Sequence, residues 1–483
     1  MATPYADALR HFSDRNPLRL NIPGHGADEA ATPELTEFFG DQLLERDVTP
    51  LLPGLDVGRD NPLSAAQKLA AEAWGARRVW FLTNGASQAN RIAAIVLGGF
   101  RQVENPVLVQ RSAHSSFIDG AILSGLQPVF VQPRIDDHYG IAHGASVDDL
   151  AQKLAENPTV KGVYMVSPSY FGAVADLAAF AEVAHSAGVP LLVDAAWGAH
   201  FGFHPNLPPH PITLGADLVV SSTHKLGGSL TQSAMIQLAE GPFADELQVL
   251  VQRAFMVTQS TSMSSLLLAS LDLAREALQH GESRIARSIE SAEELRSRIR
   301  AEGRFGIASD NWELPEIIGT DPLRVAIDVQ QAGLNGHAVL NELVAQAIYP
   351  EISTDSCIVA FVGPGRSPDW DRFLNALNSL KPEGELAYSA GERRALPEAG
   401  ILRMLPRAAW LAPNEVVDSK DAVGRVSTES LSAYPPGIPN VLPGEEFTAE
   451  TIEFLQHVAA TPGGYVRGAL DPEVSKVRVV AKS

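Results

Sequence analysis

Four stretches of the sequence set reactive side chains just after apolar runs. The first is Ser221-Ser222-Thr223-His224-Lys225-Leu226-Gly227-Gly228-Ser229. A lysine in such a turn is either a solvated surface residue or an amine placed to capture a carbonyl. The Ser222 hydroxyl and the His224 imidazole beside it are groups that handle phosphate. The second, Asp194-Ala195-Ala196-Trp197, follows the run at residues 190–193. A carboxylate ending a buried strand is costly unless paired, so Asp194 either caps the next helix or meets a cation. Ala195 and Ala196 leave space there for something flat. The third, Arg111-Ser112-Ala113-His114, ends in an imidazole that can stack on a ring, move a proton, or be structural. The fourth, Thr83-Asn84-Gly85-Ala86-Ser87, opens a helix. Gly85 permits a tight turn, and the Ala86 and Ser87 amides then form an anion site, unless Ser87 is an ordinary cap.

One ligand satisfies all four stretches. It carries a phosphate for Gly85, Ala86, Ser87, Ser222 and His224, and a flat ring for His114 and Ala196 to enclose. It has a ring nitrogen for Asp194 and an aldehyde for Lys225. Pyridoxal phosphate has these parts. The Asp194 carboxylate would keep the ring nitrogen protonated, since an opposite charge favours the charged form. Lys225 would hold the cofactor until a substrate amine displaces it.

The elements that position these residues are legible in the hydropathy pattern. Apolar runs at 79–83, 106–110, 128–132, 162–167, 190–194, 217–222 and 233–238 read as strands. Helical patterns at 63–74, 87–97, 147–155 and 176–187 fall between them. This alternation predicts an α/β fold, a mostly parallel seven-stranded sheet covered by helices on both faces. Ligands then bind beyond the carboxyl ends of the strands. Residues 1–60 read as an N-terminal arm and 61–300 as the large domain. Residues 301–383 read as a small α+β domain, with strands at 322–329 and 357–363, and 384–483 as a C-terminal domain. Long helices at 264–280 and 282–301 lead out of the large domain. The stretch 381–407 has no clear pattern, and a proline-rich connection at 434–443 precedes a helix at 448–460.

Bulk composition bounds the function. The chain has 483 residues, 45% hydrophobic and 19% charged, which is ordinary for a soluble globular protein and not for a disordered one. The net charge of −20 disfavours nucleic acid and anionic membranes as partners. It suits a cationic small molecule, or is simply an acidic surface. The single cysteine, Cys357, lies in an apolar run and reads as a buried thiol; nothing calls for a metal ion. With no signal peptide and no apolar run of membrane length, the expected location is cytoplasmic.

The chain resembles the Orn/Lys/Arg decarboxylases of pyridoxal phosphate fold type I, in a short form without an N-terminal wing domain. The stretches that carry the resemblance include Pro23-Gly24-His25, Leu82-Thr83-Asn84-Gly85, Ser167-Pro168-Ser169-Tyr170-Phe171-Gly172 and Gly198-Ala199-His200-Phe201-Gly202. Ser222-Thr223-His224-Lys225, Gln259-Ser260-Thr261-Ser262 and Tyr434-Pro435-Pro436-Gly437-Ile438-Pro439 complete the set. The resemblance implies a catalytic group of Lys225, Asp194, His114 and His224. It implies phosphate binding by Ala86, Ser87, Ser222 and His224, and a place near the ring oxygen for Ser169. It also implies a homodimer or higher homo-oligomer, in which Ser260 and Thr261 reach the partner's phosphate at a shared active site.

Decarboxylation of arginine, lysine or ornithine to an amine, as in polyamine biosynthesis, is the leading expectation. Glu351, Asp355 and Glu445 are candidate partners for the basic side chain, or else surface acids. The family pattern usually reads Asp-Glu-Ala-His where this chain has Asp194-Ala195-Ala196-Trp197. Ala86, Gly26, Ser115 and Met263 depart from it as well. Trp197, counted here among the cofactor-binding residues, therefore motivates an alternative, transamination or oxidative decarboxylation on the same cofactor. A non-catalytic relative of the fold is the remaining alternative, at odds with the presence of Lys225, Asp194 and His114.

Overall fold

The structure is a computed structural model, and it describes residues 2–101, 106–388, 397–434, 438–461 and 464–482. Its centre is a seven-stranded sheet: β1 (Arg78–Leu82), β2 (Pro106–Gln110), β3 (Gln127–Val131), β4 (Val163–Val166), β5 (Leu191–Asp194), β6 (Leu218–Ser221) and β7 (Ala234–Leu238). The spatial order is β1-β7-β6-β5-β4-β2-β3. Only β7 runs against the others, pairing antiparallel with both β1 and β6. All seven expected strands are present. Both faces are buried, which is why the strands read as continuous apolar runs rather than alternating ones.

Two clusters of buried side chains cover the faces. One joins Trp80, Val107 and Tyr164 to Ile92, Phe117 and Val251. The other joins Leu108, Val163 and Leu191 to Leu150 and Phe180. Helix α1 (Gly85–Gly99) and helix α2 (Ser115–Ser124) lie in the first cluster. Gly120 lets them meet: a Cβ there would come within 2.6 Å of the Ala94 Cβ. No helix among the described residues is long and apolar enough to cross a membrane.

The N-terminal region differs from a simple arm. Pro4–Asp14 is a helix whose Tyr5 and Leu9 face the large-domain core, together with Val48 and Leu55. The carboxylate of Asp272 accepts from the Tyr5 and Ala6 amides, at 2.9 and 3.3 Å. A four-residue apolar spacing on a single turn is too short a signal to separate a docked helix from a loop. Between these anchors Leu18, Leu20, Phe38 and Leu51 are exposed.

The small domain is an antiparallel four-stranded sheet, β8 (Gly306–Ile307), β9 (Arg324–Asp328), β10 (Ile352–Ser353) and β11 (Cys357–Phe361). Its core also takes Leu295 and Ile299 from the end of helix Glu282–Glu302. Cys357 is buried there. The C-terminal domain has a separate core of Leu431, Val441, Phe447, Leu455 and Val477. Residues 384–388 stay with the small domain, where the Tyr388 amide donates to the Gly333 carbonyl. Residues 389–396 of the unassigned stretch, and Pro435, Pro436 and Gly437 of the proline-rich motif, lie outside the described residues.

Candidate active site

The sheet delivers the four stretches to one edge. Asp194 ends β5, the central strand, and Lys225 follows the adjacent β6. His114 follows β2, and Gly85 follows β1. These are the carboxyl ends of parallel strands, where loops leave the sheet in the same direction.

Asp194 is buried and fully engaged. Its Oδ1 accepts from the Ala196 amide at 3.0 Å. Its Oδ2 lies 3.1 Å from both Asn90 Nδ2 and the Tyr164 hydroxyl. The Tyr164 hydroxyl is also 2.6 Å from Asn90 Oδ1. Burial, and then the Asp194 charge, push the Tyr164 phenol well up, so it remains a donor. Asn90 Nδ2 continues to Ser116 Oγ at 3.0 Å, and Ser116 Oγ to His114 Nδ1 at 2.8 Å. The carboxylate and the imidazole thus belong to one hydrogen-bonded chain. Burial holds His114 below the ordinary histidine value, with Asp194 opposing and Lys225 and Arg467 assisting, which leaves a neutral ring suited to stacking.

The phosphate end fits an anion. Gly85 has φ +68°, a conformation that favours glycine, and its amide donates to the Gln232 carbonyl. Asn84, at the cap position, makes no side-chain cap bond to α1. The start of α1, with Ala86 and Ser87 in its first turn, is of the kind that can bind an anion. Ser222 Oγ lies 3.3 Å from His224 Nδ1, which also donates to the Ser233 carbonyl at 3.0 Å. That carbonyl bond puts the proton on Nδ1. Burial lowers the His224 value, with Ser233 and Glu351 opposing and Lys225 assisting.

Lys225 is the amine at this edge. Burial lowers its amine to about 8, against the pull of Asp194 and with help from the Arg324 cation. Its Nζ lies 3.8 Å from the Trp197 ring centre and 6.0 Å from that of Tyr170. Tyr170 and Trp197 meet edge to face at 6.1 Å. The guanidinium of Arg324 also lies 3.8 Å from the Trp197 ring. Ala196 is half-buried behind Asp194. The Ser169 hydroxyl accepts from the Phe171 and Ala173 amides and so shapes the turn carrying Tyr170.

The remaining expected residues divide. Glu351 is exposed, and its charge acts on Lys225, His224 and Arg324. Asp355 accepts from Asn335 at 3.2 Å and lies 3.8 Å from His337. It lines a 590 Å³ cavity where the three domains meet, which touches the Lys225 surroundings through Tyr170. Glu445 is not brought to the site. It is buried, paired with Arg111 at 3.1 Å, and accepts from the Leu442 amide at 2.9 Å. Ser260 and Thr261 are exposed rather than turned into this chain's own site. The residue before them, Gln259, is tied to Thr83 at 3.1 Å and Gln88 at 3.0 Å.

Asn90, Ser116, Tyr164, Arg324 and Arg467 escaped the sequence reading. Arg467 comes from the C-terminal domain and donates to Ser115 at 3.1 Å. Asn90 carried a faint signal, a polar residue in the apolar stripe of α1. Tyr164, Arg324 and Arg467 lack a local signal because their partners are distant in sequence.

The fold and the donor set at this edge fit an enzyme of the pyridoxal phosphate class. The chain belongs to the Orn/Lys/Arg decarboxylase family: the family's major domain matches residues 3–321 and its C-terminal domain residues 401–463. An arginine decarboxylase of Bacillus subtilis is 35% identical over 99% of this chain and 98% of its own length. A lysine decarboxylase of Pseudomonas aeruginosa is 23% identical over 94% of this chain and 75% of its own. The solved structure of lysine decarboxylase A from Pseudomonas aeruginosa superposes with a TM-score of 0.82 at 20% identity, covering 99% of this chain and 80% of that one.

Proposed function

We infer that this protein is a pyridoxal phosphate-dependent decarboxylase of a basic amino acid, acting through Lys225. The observation that carries the reading is the meeting, at one sheet edge, of a lysine amine lowered to about 8 and a carboxylate held by Asn90 and Tyr164. When bound, the cofactor supplies an electron sink for the bond broken at the substrate's α-carbon.

The chain's residues do the rest. With a value of about 8, roughly a tenth of the Lys225 amine is neutral at pH 7, far more than for a free lysine. Lys225 is thereby able to capture an aldehyde and to yield it to a substrate amine. Asp194 would offer a fixed negative charge to the ring nitrogen, and neutral His114 would cover the ring. The start of α1, Ser222 and His224 would hold the phosphate. Trp197 and Tyr170 exclude water from the Lys225 amine. Glu351 is the acid best placed for the basic end of the substrate, with Asp355 in the adjoining cavity.

A homodimer accords with this site. Exposed Leu18, Leu20, Phe38, Leu51, Met256 and Val257 are apolar surface in want of cover, and Ser260 follows closely after Val257. Sedimentation of the purified chain tests it. A location in the cytoplasm suits a chain with one buried cysteine.

The deciding assay incubates the purified protein and pyridoxal phosphate with arginine, lysine and ornithine separately, and measures CO₂ and amine. Arginine comes first because full-length relatives at 35% and 32% identity carry that activity in their names. An amine from one of the three is expected, a precursor class for polyamines. A keto acid or aldehyde instead would favour the transaminase or oxidative reading that Trp197 motivates, and no product from any would reject the decarboxylase.

A further inference from the structure

The Trp197 indole N–H is buried and has no hydrogen-bond partner among the described residues. A buried N–H without an acceptor is uncommon, because losing water without replacement is costly. The ring that carries it packs against Lys225, with the Lys225 amine 3.8 Å from the ring centre.

The indole cannot readily turn elsewhere. Arg324 stacks on it at 3.8 Å, and the Tyr170 and Phe361 rings meet it edge-on at 6.1 and 6.4 Å. Arg324 is itself anchored: it donates to the Tyr170 carbonyl, and its Nε lies 3.8 Å from Asp321. Asp321 is held in turn by His200 at 3.0 Å. The large domain thus supplies the ring, and strand β9 of the small domain fixes its plane.

We propose that the Trp197 indole N–H is the donor to the cofactor's ring oxygen, the hydroxyl beside its aldehyde, and so sets the proton affinity of the adduct on Lys225. The proposal rests on the pyridoxal phosphate reading of the site. A cofactor aldehyde held on the Lys225 amine would bring its neighbouring ring oxygen near Trp197, whose ring centre lies 3.8 Å from that amine. The indole is a donor only and does not titrate. The histidine of the family pattern would do both; Trp197 keeps the donor and removes the proton exchange. The donor stabilises the ring oxyanion most when no adjacent N–H shares it, so it favours the deprotonated adduct.

Wild type, Trp197→Phe and Trp197→His are reconstituted with pyridoxal phosphate, and the adduct is titrated by absorbance. In Trp197→Phe the midpoint should rise by about one pH unit, the scale of one hydrogen bond to a charged group. Trp197→His should bring it part of the way back. An adduct whose midpoint is the same in Trp197→Phe as in wild type overturns the indole assignment alone. A wild type that forms no adduct overturns the cofactor reading with it. Should the variants not fold, the wild type decides by NMR of its six tryptophan indoles. One N–H should move downfield with pyridoxal phosphate and not with its 3-deoxy analogue; identical spectra with the two would refute the proposal.

Discussion

The ring end of the site and its substrate end are built differently. At the ring end, Lys225, Asp194 and His114 each sit at or just past a strand of one sheet, and their supports come from that sheet and the helices packed on it. At the substrate end the expected acids come from other domains: Glu351 and Asp355 from the small domain, Glu445 from the C-terminal one. They meet three fates, exposed, half-engaged and fully locked. A parallel sheet fixes its strand ends however the surrounding loops vary. A wall assembled from separate domains depends on how each docks.

Substitutions can break this contrast in order of size. Lys225→Ala should abolish the cofactor adduct and lower kcat by roughly 10³-fold; an unchanged spectrum would show that the lysine is wrongly assigned. Glu445→Ala leaves a buried Arg111 unpaired, so it should cost about 3–5 kcal/mol in urea unfolding while leaving KM alone. A raised KM with unaltered stability would return Glu445 to the substrate. Asn90→Ala removes a hydrogen bond to the Asp194 carboxylate, worth about 1.5–3 kcal/mol. Cofactor affinity should fall roughly ten- to a hundredfold, measured by equilibrium dialysis. Glu351→Gln should raise KM only about two- to fivefold, the scale of an exposed ion pair, without altering the adduct spectrum.

A pH series sharpens the ring end further. The folded Lys225 value, about 8, is below the free lysine value. Between the two, the unfolded chain binds a proton that the folded chain lacks. Stability of the cofactor-free protein should therefore gain from Lys225 as pH rises from about 8 toward the free value. Below about 8 this residue adds no slope. Comparing unfolding of wild type and Lys225→Ala across that range isolates the effect, and parallel curves would mean that the amine is not perturbed.

The legibility of the sequence follows the same division. The seven strands were readable because both faces of the sheet are buried, so each strand is an unbroken apolar run whose polar end stands out. Lys225, Asp194, His114 and the Gly85 turn could be gathered from chain order and the strand-end rule alone. The docked helix at Pro4–Asp14 was not readable as such: its apolar face is short, and its anchor, Asp272, lies far along the chain. Glu445 resembled a functional acid because it follows a distinctive motif, yet its partner is Arg111, 334 residues away.

The sequence by itself determined the class of fold and singled out Lys225, Asp194 and the kind of ligand that would suit them, because local periodicity and strand ends encode these. Only the tertiary structure decided which groups hold Asp194 in place, that Glu445 is spent on Arg111, and that the Trp197 ring is pinned by Arg324 with its N–H unpaired. Such facts depend on pairs of residues brought together from distant parts of the chain, and neither member's neighbours in the chain reveal its partner.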